Sequence, residues 1–221
     1  MNSQLKEFTA ATARPLPIII LADTSGSMAS EGKIDNLNQA IREMLDTFAE
    51  TDDLRAEIHV AIITFGGTVG IHTDFMPASE AKSQWHEMLA NGVTPMGEAM
   101  ELAAKVIEDT NVITGRAYRP TVILVSDGEP TDSYKTGLNQ LTKQGRAQKA
   151  DRMALAIGAD ADIGMLQSFL GSAESKVFKV DDARRIKDFF RFVTMSVTAR
   201  TRSANPNDIV KMADPFGLDQ L

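Results

Sequence analysis

The sequence predicts a doubly wound α/β domain, with a mostly parallel sheet, one antiparallel edge strand and helices on both faces. Two features carry that expectation. Apolar runs of strand length alternate repeatedly with segments of helical period, a pattern that calls for crossover connections between parallel strands. Two of the runs, 16–22 (L-P-I-I-I-L-A) and 121–126 (T-V-I-L-V-S), are almost continuously apolar, the composition of a strand covered on both faces. The layering expected is Rossmann-like, and in such sheets ligands bind beyond the carboxyl ends of the strands, near the point where strand order reverses.

The first strand is 16–22. After it, Ile34, Leu37, Ala40, Ile41, Leu45 and Phe48 recur at three- and four-residue steps, so a helix spans about 33–50. The stretch E-I-H-V-A-I-I-T-F at 57–65 is a second strand. Gly66 and Gly67 turn it into a short third, 68–75, and a tight hairpin makes that strand the antiparallel edge. Helix-forming composition marks 79–90 and 97–112, with the turn N-G-V-T-P-M-G between them. The strand at 121–126 is followed by a helix over 133–149, a strand over 152–158, a short helix over 163–170, a strand over 176–180 and a helix over 183–199. The expected division is a lead over 1–15, one domain over 16–200 and an arm or tail over 201–221. N-P and D-P dipeptides interrupt any long helix in the arm. Yet it carries Ile209, Val210, Met212, Phe216, Leu218 and Leu221, too many apolar groups for a purely soluble tail. Packing of 209–212 and 216–218 on a groove of this domain or of a partner is expected.

At 221 residues with 43% hydrophobic content, the chain suffices for one substantial core. A net charge of −7 without a long basic run argues against nucleic acid as a partner. The absence of cysteine excludes thiolate ligands and nucleophiles and fits a reducing compartment. No run approaches the roughly 20 apolar residues of a membrane helix, and the first ten residues hold no signal-like stretch, so a cytoplasmic protein is expected.

The run A-D-T-S-G-S-M at 22–28 places one carboxylate and three hydroxyls directly after the first strand. Asp23, Ser25 and Ser27 alternate by two, so an extended loop turns them toward one point. The second buried strand also ends on an aspartate, Asp127. Hard oxygen donors suit magnesium, manganese or calcium better than zinc or copper. Asp23 and Asp127 would neutralise a divalent ion, and hydroxyls of Ser25, Ser27 and Thr94 would fill positions without adding charge. Blander readings compete: Ser25, Ser27 or Ser30 as the cap of the helix near Lys33, Asp127 as a turn residue before Gly128, and Asp132 as the cap of the helix that follows it. Enzyme readings find less support. The D-[ST]-G of an aspartic protease is broken by Ser25, the D-x-D of a haloacid-dehalogenase-type phosphatase is missing, and no nucleotide-binding glycine motif occurs. His59 sits in a strand, His72 on the hairpin and His86 in a helix beside Trp85, all read as structural or surface residues.

D-T-S-G-S at 23–27 matches the D-x-S-x-S signature of von Willebrand factor type A (VWA) domains. G-V-T at 92–94 resembles that family's second-loop threonine, and S-D-G at 126–128 its third-loop aspartate. The resemblance covers about 16–199. The opening L-P-I-I-I-L-A-D-T-S-G-S-M and the run S-D-G-E-P-T-D look most like the bacterial tellurite-resistance TerY type. The resemblance implies a metal-ion-dependent adhesion site (MIDAS) of Asp23, Ser25, Ser27, Thr94 and Asp127. It would hold Mg2+ (or Mn2+ or Ca2+) and accept an Asp or Glu carboxylate from a protein partner. Its rim would be 28–32, 92–96 and 129–134. The TerY type further implies a protein kinase and a PP2C-type phosphatase as partners, in a stress-response or phage-defence setting. The expectation is a binding adaptor and not an enzyme, with no catalytic residue assigned. The alternatives are a metal-dependent phosphohydrolase using the same oxygen cage and a purely structural metal.

Overall fold

Successive side chains of strand β1 (Arg14–Asp23) face opposite ways. Ile18, Ile20 and Ala22 enter one apolar core and Ile19 and Leu21 the other, all fully buried. A run that is apolar at every position is therefore a strand with a core on each side. Each large side chain so buried contributes roughly 1.5–3 kcal/mol, which fixes β1 at the centre of the sheet. The computed structural model describes residues 12–51, 53–172, 174–208 and 212–221. In it β1 pairs in parallel with β2 (Ala56–Gly66) on one side and β4 (Thr121–Ser126) on the other. Strands β5 (Asp151–Ile157) and β6 (Phe178–Val180) continue in parallel, and β3 (Thr68–Pro77) is the antiparallel edge on β2. With β7 (Asp219–Gln220) the order is β3-β2-β1-β4-β5-β6-β7, so the chain reverses direction across the sheet beside β1.

Helices α1 (Lys33–Ala49), α2 (Ala78–Gln84) and α6 (Ile186–Arg202) close one core, and α3 (Met96–Glu108), α4 (Lys135–Lys143) and α5 (Ile163–Leu170) the other. Among the described residues no helix is long and apolar enough to cross a membrane.

Three helices differ from expectation. The helix expected over 79–90 stops at Gln84, because the buried amide of Asn38 takes both backbone groups of Met88. Its Oδ1 accepts from Met88 N and its Nδ2 donates to Met88 O, each at 2.9 Å, and the chain there runs as a loop. His86 is thus in a loop and not a helix. The helix expected over 133–149 breaks at Gly145, whose φ is +51°. There Glu108 Oε1 accepts from the backbone N–H groups of Arg146 and Ala147, starting a separate short turn, Ala147–Lys149. The helix expected over 97–112 ends at Glu108, with Asp109 already extended.

The arm docks on this same domain. Buried Arg200 donates to the carbonyls of Arg119 and Pro206 and to Thr121 Oγ1, and Asn207 Oδ1 accepts from Arg119 N. Farther along, Arg185 donates to Phe216 O and Gly217 O, while Leu218 is only 6% exposed and Met212 and Phe216 pack on the same core. Strand β7 (Asp219–Gln220) then pairs antiparallel with β6, adding a second antiparallel edge to the expected one. Leu221 stays half-exposed, held by reciprocal backbone bonds with Val177. Ile209 and Val210, expected to pack, lie outside the described residues.

Candidate metal centre

Asp23 is the last residue of β1, in register with Phe65, and Thr24 N–H still donates to Phe65 O. Beyond it the chain makes one 3-10 turn, Gly26–Ala29, and a left-handed pair, Glu31 at φ +56° and Gly32 at φ +69°. None of the serines caps α1. Gly32 occupies the cap position without a side-chain bond, so the serine hydroxyls are available to the site. Three loops then stack backbone on backbone. Gly26 N–H donates to Gly92 O at 2.9 Å, Asn91 N–H to Thr24 O at 2.7 Å and Gly67 N–H to Val93 O at 2.8 Å. A Cβ on Gly66 would lie 2.1 Å from Thr24 O, and one on Gly92 would lie 2.4 Å from Gly67 Cα. Only glycine permits that approach. The Gly-Gly pair read as a hairpin turn therefore also seats the loop that carries Thr94.

Four of the five expected site residues are joined in one line of hydrogen bonds. Asp23, fully buried, accepts from Ser25 N at Oδ1 (2.8 Å) and from Ser126 Oγ at Oδ2 (2.6 Å). Ser25 Oγ lies 3.0 Å from Ser27 Oγ, and Ser27 Oγ donates to Asp127 Oδ1 at 2.7 Å. Asp127 Oδ2 is ion-paired with Lys33 Nζ at 2.9 Å. Thr94 stands on the neighbouring loop, buried, its backbone exchanging two bonds with Thr131. Among the described residues no hydrogen bond links its hydroxyl to the other four. Burial pushes the Asp23 carboxyl above its ordinary value, opposed by the hydrogen bonds from Ser126 and Ser25, with the nearby Asp127 charge adding a smaller upward push.

Ser126 and Lys33 escaped the sequence reading. Ser126 ends the same apolar run that delivers Asp127, and a hydroxyl next to an aspartate at a strand end was its only signal. Lys33 sits in the first turn of a helix, where the dipole disfavours a cation. That local mismatch was the clue to a partner elsewhere. Two other expectations change. Asp132 caps α3, accepting from Gly97 N and Glu98 N, instead of the helix that follows it. Met28 and Met96 are fully buried and cannot form the rim, whereas Val93 is 56% exposed.

The donor set is oxygen only. Asp127 and the Ser25 and Ser27 hydroxyls are joined across the ends of β1 and β4, with Asp23 behind them and Thr94 on the adjoining loop, a set of hard donors that fits a divalent cation. Both oxygens of Asp23 accept hydrogen bonds and both oxygens of Asp127 are engaged, by Ser27 and by Lys33, so a cation would have to displace a partner of Asp127 while the hydroxyls offer free lone pairs.

The chain is 27% identical over 202 residues to human inter-alpha-trypsin inhibitor heavy chain H6, covering 84% of this chain and 15% of that protein. It is 22% identical over 213 residues to pig inter-alpha-trypsin inhibitor heavy chain H4, covering 90% and 22%. The chain thus spans less than a quarter of the length of these curated relatives. Among solved structures, the von Willebrand factor type A protein of Catenulispora acidiphila superposes with a TM-score of 0.65 at 18% identity, over 84% of this chain and 43% of that one. Proximal thread matrix protein 1 of the mussel byssus, with its MIDAS motif occupied by zinc, superposes with a TM-score of 0.66 at 16% identity, over 85% and 48%. The family model of the von Willebrand factor type A domain matches residues 18–192, most of the chain, and the chain belongs to that family.

Proposed function

We propose that this domain binds a protein partner through a divalent cation, and that the partner contributes an Asp or Glu carboxylate. The observation that carries the proposal is the continuous line Asp23–Ser25–Ser27–Asp127 at the ends of two buried strands. The neighbours of this line are a serine that supports Asp23 and a lysine that pairs with Asp127.

Ser25, Ser27 and Asp127 would hold the ion, with Thr94 approaching from the adjoining loop and Asp23 balancing charge from behind, directly or through water. When bound, the ion supplies a Lewis-acidic position open to a carboxylate. The protein's part is to keep the hydroxyls aimed: Ser126 fixes Asp23, Asp23 fixes the Ser25 backbone, and Asp132 and Thr131 steady the Thr94 loop. Mg2+ or Mn2+ is proposed, with Ca2+ as a further candidate. Zinc joins the test set because the mussel protein's MIDAS holds it, although donor hardness argued against it. Association with a protein kinase and a PP2C-type phosphatase, in a cytoplasmic stress-response or phage-defence system, extends the proposal on the TerY-type resemblance of 16–28 and 126–132.

The test is calorimetry on chelator-stripped protein with Mg2+, Mn2+, Ca2+ and Zn2+, followed by partner capture with and without chelator. Binding that is lost in Asp23→Ala, and capture that needs the metal, are expected. The absence of any divalent binding at millimolar concentration overturns the reading. Metal-dependent hydrolysis of generic phosphoesters, lost in Asp23→Ala, would replace it with a phosphohydrolase.

A further inference from the structure

The ion pair between Lys33 and Asp127 engages one oxygen of a carboxylate proposed to hold the cation. Asp127 is fully buried at its side chain, and Lys33 is 13% exposed there, with its Nζ 2.9 Å from Oδ2. The same ammonium lies 4.0 Å from the position a Cβ on Gly158 would take, so it reaches over the carboxyl ends of both β4 and β5. Asp127 is its only ion-pair partner among the described residues. Lys33 is launched by a turn in which Glu31 has φ +56°, the only non-glycine residue of positive φ among those described. Strained backbone of this kind persists where surrounding contacts enforce it, and it clusters at ligand clamps and switch regions.

We infer that Lys33 is a built-in counter-ion of the metal centre, which must release Asp127 before a divalent cation can take that carboxylate. The inference rests on the metal-binding reading above. A dication on one Asp127 oxygen and an ammonium on the other are like charges within a few ångströms in a mostly buried site, so each disfavours the other. The centre therefore has a closed, lysine-paired form and an open, metal-loaded form, and Lys33 sets the affinity. A ligand shifts such an equilibrium only by its differential affinity for the two forms. Removing the tethered competitor converts that difference into tighter metal binding, with coupling between sites typically worth a factor of about 5 to 150.

The test compares wild type, Lys33→Gln and Lys33→Arg by calorimetry with MgCl2 and MnCl2 after chelator treatment, alongside melting of the metal-free proteins. Lys33→Gln is expected to bind at least about fivefold tighter and to melt lower without metal, while Lys33→Arg stays near wild type in both. Equal or weaker metal binding by Lys33→Gln overturns the inference and leaves the metal reading standing. No binding by any of the three overturns both. A second measurement needs no variant. In the wild type labelled with 15N-lysine, one hydrogen-bonded ammonium signal should be protected in chelator and lost as Mg2+ saturates the protein. Persistence of that signal at saturation refutes the exchange.

Discussion

A methyl group on Gly137 would lie 2.2 Å from the carbonyl oxygen of Gly97, so helices α3 and α4 touch backbone to backbone. A Cβ on Gly97 would in turn lie 2.5 Å from Tyr134 Cα. This contact presses the segment 131–134 against the start of α3, where Asp132 caps the helix and Thr131 holds Thr94.

Gly137→Ala should destabilise the fold by about 1–3 kcal/mol through overpacking. It should also weaken divalent binding, although it touches no ligand. Chemical denaturation and calorimetry measure the two effects. Unchanged metal affinity in a folded variant would mean that the 131–134 segment does not set the position of Thr94.

Ser126→Ala removes the 2.6 Å hydrogen bond to a buried carboxylate oxygen of Asp23. A loss of about 1–3 kcal/mol is expected near neutral pH. Because the bond favours the ionised carboxylate, the difference between variant and wild type should shrink as acid protonates Asp23. Denaturation at several pH values follows it, and a pH-independent difference would assign the effect to packing.

His72 is half-buried, with its Nε2 2.9 Å from His86 O and its ring 4.0 Å from that of His86. Burial, and then the His86 charge, hold its pKa below the ordinary 6.5, against a smaller upward push from the His86 carbonyl. The folded protein therefore takes up this proton later than the unfolded chain. Its contribution to stability is complete above pH 6.5 and falls as the pH drops from there through the folded value. His72→Gln should melt with a flatter pH dependence than wild type across that window. Parallel pH profiles for the two proteins would contradict the assignment.

Leu218→Ala should cost about 2–5 kcal/mol, the range for a buried leucine in a core that cannot fully collapse. Truncation before Ser203 should lower the melting temperature as well, since it removes Leu218, Phe216 and the partners of Arg200 and Arg185. A truncated chain that melts with the full one would show that the docked arm adds no stability.

What could be read in the sequence was what local pattern encodes. Ile18, Ile19 and Ile20 announce a central strand because both faces of β1 are buried, and the two-residue spacing of Asp23, Ser25 and Ser27 announces a shared focus. Features that depend on distant partners left no such trace. Asn38 reshapes the chain at Met88, 50 residues away, and nothing around either residue signals it. Lys33 shows only a cation in the first turn of a helix, and nothing local names its partner, Asp127, 94 residues on. Asp219 and Gln220 are too few and too polar to show strand alternation, so β7 exists only because Leu218 anchors the arm beside β6.

That short strand also governs how the molecule behaves at high concentration. An exposed β6 would offer unpaired N–H and C=O groups to any passing extended chain, the usual beginning of edge-to-edge aggregation. With β7 in place, part of that row is already paired, and Asp219 puts a charge on the border. The opposite border, β3, ends on Pro77 and has register irregularities near Val60 and Ile62 of its neighbour, two devices that blunt an edge.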